Sequence, residues 1–363
     1  MSFVSVVMLV FCIIGAGDRI IGNRFGLGKE FEKGFILLGN MALSMIGMII
    51  ISPLIAKLLA PCFDWVYRAL GIDPSIIPAS LFANDMGGAP LSKEIAKNEA
   101  LGMFNALVVS SMMGCTISFT IPYALGIVDK KIHREVFFGF LCGIITIPVG
   151  CLVSGILLGI SPVQLIWNLL PLILFSGIIA CGLIFAPEAT VKVFSAFGIF
   201  IKTIITIGLV LGILRFLTGI EIVKGLANIQ EGADICFNAA VVLSGAFPLM
   251  HIVSKLLAKP IAKLGSLLKV NATSAMGFVS TIVTNATTFE MMKDMDRKGI
   301  LLNSAFAVSA AFTFGSHLAF TMAFDGDYIL TVMVGKLISG FSALVLALVM
   351  YKRISKQEKE ALC

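Results

Sequence analysis

Residues 136–187 read VFFGFLCGIITIPVGCLVSGILLGISPVQLIWNLLPLILFSGIIACGLIFAP, a run of 52 positions without Asp, Glu, Lys or Arg. A helix crosses the hydrocarbon of a bilayer in about 20 residues, so the run holds two spans. Gly159, Ser161 and Pro162 mark the turn between them. Further charge-free runs cover 1–17, 34–56, 100–128, 235–254 and 299–324. Two more, 193–218 and 329–351, are interrupted only by Lys202 and Arg215, and by Lys336. That makes nine spans. The first lacks the basic stretch that opens a secretory signal, and reads as a retained span.

Composition agrees. Of 363 residues, 58% are hydrophobic and 13% charged, where a soluble domain carries about 25% charged residues. An ordinary cytosolic enzyme, a secreted scaffold and a disordered chain are excluded. Membrane β-strands would alternate polar and apolar residues, and these runs do not. The expected fold is an all-α polytopic membrane protein, one transporter domain over 1–363. The net charge of +6 needs no nucleic acid, because Lys and Arg collect in cytoplasmic loops. The tail residues Lys352, Arg353, Lys356 and Lys359 put the C-terminus inside. The basic segments 18–33, 129–135 and 255–298 fall on the same side, and nine spans then put the N-terminus outside.

An offset of 198 residues recurs: Asn40 and Asn238, Gly47 and Gly245, Asn105 and Asn303, Ser111 and Ser309, Ser118 and Ser316. The tetrapeptide Lys57-Leu58-Leu59-Ala60 matches Lys255-Leu256-Leu257-Ala258 at the same offset. Five spans separate the two starts, and an odd number inverts the second copy. The expectation is an inverted-topology repeat, about 35–160 and 235–351, as in secondary transporters.

Inside each copy lies an apolar stretch too short and too broken to cross, about 76–92 and 271–289. Each has a polar break, at Asn84-Asp85-Met86-Gly87-Gly88 and at Thr284-Asn285-Ala286-Thr287-Thr288. Two re-entrant hairpins fit this pattern, since non-helical backbone at membrane depth survives only where protein or a water-filled cavity satisfies it. The alternative is a pair of surface loops. The hairpins enter from opposite sides, so their tips meet near the midplane.

Asp85 is the foremost candidate for chemistry, because a carboxylate inside a membrane is costly and marks function. It can balance a cation or carry a proton; the competing role is a turn cap. With it stand Asn84, Thr284, Asn285, Thr287, Thr288 and Glu290 around the breaks. Asn105, Asn303 and Ser309 stand on the helices that follow. Together these ten form the expected substrate-binding set. Asn40 and Asn238 read instead as buried amides joining helices. His317 reads as a hydrogen-bonded structural residue, and Lys336 as a long side chain reaching a polar cavity or an interface. Motifs of metalloproteases, P-loops and serine hydrolases are absent. Eight scattered Cys and three distant His give no metal site. No catalytic residue, metal or cofactor is expected.

Ser80-Leu81-Phe82-Ala83-Asn84-Asp85-Met86-Gly87-Gly88-Ala89-Pro90-Leu91, Gly102-Met103-Phe104-Asn105 and Ile282-Val283-Thr284-Asn285-Ala286-Thr287-Thr288-Phe289-Glu290-Met291 resemble the ethanolamine permeases of bacterial ethanolamine-utilisation operons, the EutH family. The resemblance covers essentially the whole chain. It implies a bacterial cytoplasmic-membrane permease that admits ethanolamine for catabolism, with the lipid bilayer as surroundings. A homo-oligomer is also expected. A fainter likeness links Gly88-Ala89-Pro90-Leu91 to the first hairpin of concentrative nucleoside transporters, where an acidic residue stands at the position of Gly88. The alternative function is therefore an ion-coupled symporter of nucleosides or another small polar solute.

Overall fold

A computed structural model describes residues 3–360. The side chains of 63, 66, 191, 257–262, 264 and 353–360 are outside that description, as is Cys363. The expectations for Leu257, Ala258, Arg353, Lys356, Lys359 and Cys363 thus fall outside the described residues. Among the described residues every regular element is a helix. Eight of the helices among the described residues are long and apolar enough to cross a membrane.

The long run quoted above folds as two helices, His133–Leu157 and Pro162–Phe185. Gly159 takes a left-handed φ of 73° between them. The Ser161 hydroxyl caps the second helix by accepting from the Gln164 N–H, with Pro162 at its first position. The expected 34–56 span is the middle of a longer helix, Leu27–Leu70, which carries Pro53 and Pro61 inside it. Helices Phe3–Ile20, Pro187–Thr218, Ile229–Leu268 and Ile329–Glu360 cover the other expected runs.

One expected span is corrected. The run 299–324 is not one helix but two, Arg297–Ser309 and Ser316–Phe324. Between them Phe312 has a φ of 61°, a left-handed conformation rare for a bulky residue. The freed N–H groups of Phe312 and Phe314 donate to the carbonyls of Thr281 (3.2 Å) and Ile282 (2.7 Å). The break persists because a neighbouring helix end satisfies it. Apolar composition shows that such a run is buried, but not that its helix is continuous.

Glu99–Ile127 is the centre of the fold, with 94% of its most apolar window buried, against 17% for Phe3–Ile20 and 22% for Pro187–Thr218. A helix apolar all round belongs in the interior. It carries wide π turns over Asn105–Gly114 and Thr116–Thr120, which often accompany functional sites. Helix Ile329–Glu360 packs against His133–Leu157 through small residues: a Cβ on Gly150 would overlap the Gly335 carbonyl. Ser154 Oγ donates to the Thr331 carbonyl there at 3.0 Å. Close backbone approach of this kind is how helices associate in lipid. Asn40 and Asn238 correct a second expectation: both are exposed, not buried. An exposed amide at the outer face of a helix joins nothing within the chain.

Candidate functional site at two broken helix tips

The stretch 76–95 forms two short helices, Ile76–Leu81 and Gly88–Ile95. The polar break lies between them, with Asn84–Met86 in a single 3-10 turn. Gly87 closes the turn at φ 101°. A Cβ there would be strained and would overlap Met48. The stretch 272–291 likewise forms helices Ala272–Val283 and Asn285–Met291, with Thr284 extended between them.

Both arms are fastened at their bases by the same means. The Asp73 carboxylate accepts from the Ser75 N–H (3.0 Å), the Ser75 hydroxyl (2.6 Å), and the N–H groups of Lys97 (3.0 Å) and Asn98 (2.8 Å). Asp296 accepts from the Asn271 N–H (2.9 Å), the Ser274 hydroxyl (2.7 Å) and the Gly299 N–H (3.3 Å). Asn105 donates to Ser75 Oγ at 2.8 Å and accepts from Asn168 at 3.0 Å. Asn303 donates to the carbonyls of Ser274 (2.8 Å) and Gly299 (2.9 Å). The structure therefore places Asn105 and Asn303 at the bases, separate from the tips. The clamping Asp73 and Asp296 were missed in the sequence, where they look like solvated linker charges.

The tips converge on the central helix. Ser118 Oγ accepts from the Ala83 N–H at 3.0 Å. Two residues on, Thr120 Oγ1 accepts from Asn285 Nδ2 at 3.0 Å. Asn84 is fully buried, and neither its side-chain oxygen nor its nitrogen has a partner; the Asn285 oxygen is also unpartnered. Native interiors rarely leave such groups unpaired, so a polar ligand is one explanation. Thr288 is occupied locally, bonded to Thr281 Oγ1 (2.9 Å) and the Gly277 carbonyl (3.1 Å). Glu290 is exposed and accepts from Tyr123 Oη at 3.4 Å. Ser309 accepts from the Ser339 hydroxyl at 2.7 Å. These three stand apart from the unpartnered amides.

Asp85 faces the second broken region. Ser316 is next to its carboxylate, and His317 Nε2 lies 3.9 Å from Oδ1. These residues open helix Ser316–Phe324, whose N-terminus favours an anion. Behind His317, Lys336 Nζ lies 3.1 Å from Nδ1 and donates to the Ser111 carbonyl at 2.6 Å. Both His317 and Lys336 are 1% exposed. The Phe312 ring lies 4.9 Å from the His317 ring, centroid to centroid. A charged residue in an apolar run was visible in the sequence, but that His317 would stand between it and Asp85, 251 positions away, was not.

A cavity of about 700 Å³ leads to this place. Glu30, Lys33 and His251 line one part of it, and Thr284, Thr287 and Ser316 another. Glu30 is paired there, 2.6 Å from Lys33 Nζ and 3.9 Å from His251 Nδ1. Ile36, Leu37, Phe247, Met250 and Val283 make much of the remaining wall, and the cavity ends at Ser316, next to Asp85. The arrangement suits a small polar cation.

Residues 2–350 match the family described as "Ethanolamine utilisation protein, EutH". A "Probable ethanolamine permease EutH" of Listeria monocytogenes is 45% identical over 97% of this chain and 94% of its own. That of Salmonella typhimurium is 36% identical over 96% and 95%. The "Uncharacterized protein YxeR" of Bacillus subtilis is 36% identical over 93% and 91%. No solved structure matches. With full-length matches of this identity, the chain belongs to the EutH family, a permease family of multi-pass membrane proteins.

Proposed function

We propose that this protein is an ethanolamine permease of the bacterial cytoplasmic membrane that binds the protonated amine at Asp85. The observation that carries the reading is the full-length likeness to chains named as probable ethanolamine permeases. The site supports it. Ethanolamine is a primary amine and, like a Lys side chain, is mostly protonated at neutral pH. Its cation does not cross lipid readily, and a carboxylate beside the cavity-lining Ser316 is its natural counter-charge. The substrate has two carbons, one nitrogen and one oxygen. A cavity of about 700 Å³ is of the size that takes far larger ligands, so it serves as a vestibule to a smaller seat at the tips. The ammonium sits on Asp85. Asn84, Thr284, Asn285 and Thr287 hold the hydroxyl, while Asn105, Asn303, Thr288, Glu290 and Ser309 support the arms.

In this reading the two broken arms are re-entrant hairpins of an inverted repeat, with the N-terminus outside and the C-terminus inside. The helix–break–helix form of each arm and the matching base clamps support it. The vestibule then opens inward, and alternating access moves the arms against the outer helices. Exposed Asn40 and Asn238 on lipid-facing helices would be costly in a monomer, which favours assembly of copies.

The test is uptake of labelled ethanolamine by proteoliposomes with an acidic exterior. Protein-dependent uptake that nucleosides do not compete with is expected. Absence of uptake, or its inhibition by nucleosides, overturns the assignment.

A further inference from the structure

Three elements bring three ionisable groups into one line. Asp85 comes from the first arm, His317 from helix Ser316–Phe324, and Lys336 from helix Ile329–Glu360. The imidazole stands between carboxylate and ammonium, 3.9 Å from one and 3.1 Å from the other. An ammonium has only donors. It therefore assigns Nδ1 of His317 as acceptor, which leaves the ring proton on Nε2, facing Asp85. Neither charge is satisfied by direct contact. Lys336 touches a carbonyl and a ring nitrogen, and Asp85 keeps 18% of its side chain exposed beside the cavity-lining Ser316. Opposite charges this deep in a membrane survive because they balance each other.

The surrounding groups do not change that balance. Cys115 of the central helix and Cys151 of helix His133–Leu157 are the thiols near Lys336. Cys236 of helix Ile229–Leu268 and Cys115 are thiols near Asp85. The Ser316 hydroxyl and the Ser111 carbonyl complete the immediate surroundings. Glu30, Lys33 and His251 line the same cavity, and Glu30 is paired with the other two.

We propose that Asp85, His317 and Lys336 form a relay that releases one proton for each ethanolammonium bound, so that the protein exchanges the cation for a proton. The inference rests on the binding of the amine at Asp85 proposed above. At rest the site holds one carboxylate, one neutral imidazole and one ammonium. When a second cation docks on Asp85, the site has one positive charge in excess. A Lys336 Nζ–H bond breaks and its proton joins Nδ1 of His317. The Nε2–H bond breaks and that proton leaves past Ser316 to water in the cavity. Lys336 is left as an amine, His317 as the other neutral tautomer, and the site is neutral again. On release of substrate at the other face the steps reverse, and the empty carrier returns the proton. Each turnover moves an ethanolammonium one way and a proton the other, with no net charge.

Purified full-length protein in liposomes, with ethanolamine as the probe at mildly acidic pH, tests this by flux and by an internal pH dye. Protein-free vesicles supply the leak to be subtracted. The protein-dependent initial rate is expected to be the same under potassium diffusion potentials of either sign, with one proton moving against each amine. A uniporter would instead accumulate the cation about tenfold under about 60 mV. Lys336→Gln, with no proton to release, is expected to acquire that dependence on potential and to lose proton exchange. Wild-type flux that follows the potential, or a Lys336→Gln flux that stays electroneutral, overturns the relay alone. The wild-type measurement decides by itself should the variant not fold. Absence of any protein-dependent ethanolamine flux overturns the permease reading and the relay together.

Discussion

The two broken arms share a base and differ at the tip. In both, a buried or half-buried aspartate gathers backbone N–H groups and a serine hydroxyl, and an asparagine 198 positions from its counterpart reaches back to the base. At the tips the likeness ends. The first carries Asp85 and the unpartnered Asn84, and the helix after it runs on through π turns. The second is uncharged at Thr284 and Asn285, and the helix after it breaks at 310–315. The break puts the N-terminus of Ser316–Phe324 against Asp85. Matched bases hold the fold, while unlike tips supply a carboxylate on one side and its electropositive surroundings on the other.

If the charge belongs to the first tip alone, removing it should have the largest effect. Asp85→Asn keeps the shape and loses the charge. We expect uptake to fall about a hundredfold, the worth of a lost charge-assisted contact of about 3 kcal/mol, with an unaltered helical signal and elution volume. Normal uptake by the variant would remove Asp85 from the site. The second tip should differ in access. Thr284 lines the vestibule, whereas Asn84 is fully buried. A membrane-impermeant thiol reagent should therefore label Thr284→Cys from the face of Lys33 and His251, in a background lacking the native Cys. Asn84→Cys should stay protected. Equal labelling of both would erase the contrast.

The bases should differ in degree only. Asp73 is 1% exposed and accepts four hydrogen bonds; Asp296 is half-buried and accepts three. Orphaned buried donors cost about 1–3 kcal/mol each where water cannot reach them. Asp73→Ala is expected to lower stability by about 3 kcal/mol and Asp296→Ala by about 1–2 kcal/mol, read from denaturant unfolding in detergent. The reverse order would mean that the second arm carries the fold.

The spans were legible because charge-free length is a physical requirement of the bilayer. The polar breaks were legible because Asn, Asp, Gly and Thr interrupt apolar runs. Asp85 stood out for the same reason. What stayed hidden depends on distance in the chain. Asn105 and Asn303 were found as a pair, but sequence spacing does not say that each turns to the base of a broken arm. His317 and Lys336 looked like isolated residues, because nothing local joins them to Asp85. The break at Phe312 was invisible, since 310–315 contains no proline and its N–H partners lie some thirty positions earlier. Asn40 and Asn238 misled because a polar residue in an apolar helix can face outward as well as inward.

Each arm is also tied down by an ion pair, exposed in the first and half-buried on the Glu135 side in the second. Lys97 Nζ lies 2.7 Å from Asp64 Oδ1, and Arg297 Nε 3.6 Å from Glu135 Oε1. The hydrogen bond from Lys97 holds the Asp64 carboxyl below its usual value of 3.8, against a smaller opposing effect of burial. A carboxyl with a depressed folded value binds protons more readily when unfolded, so it stabilises the fold above the unfolded value. That contribution fades as pH falls through the folded value. Exposed pairs contribute little, so this is the smallest effect expected. Asp64→Asn should leave the melting temperature at neutral pH nearly unchanged and make its fall below pH about 4 shallower. An identical acid limb in wild type and variant would show that the pair does nothing for the first arm, and that its buried aspartate clamp alone fixes the base.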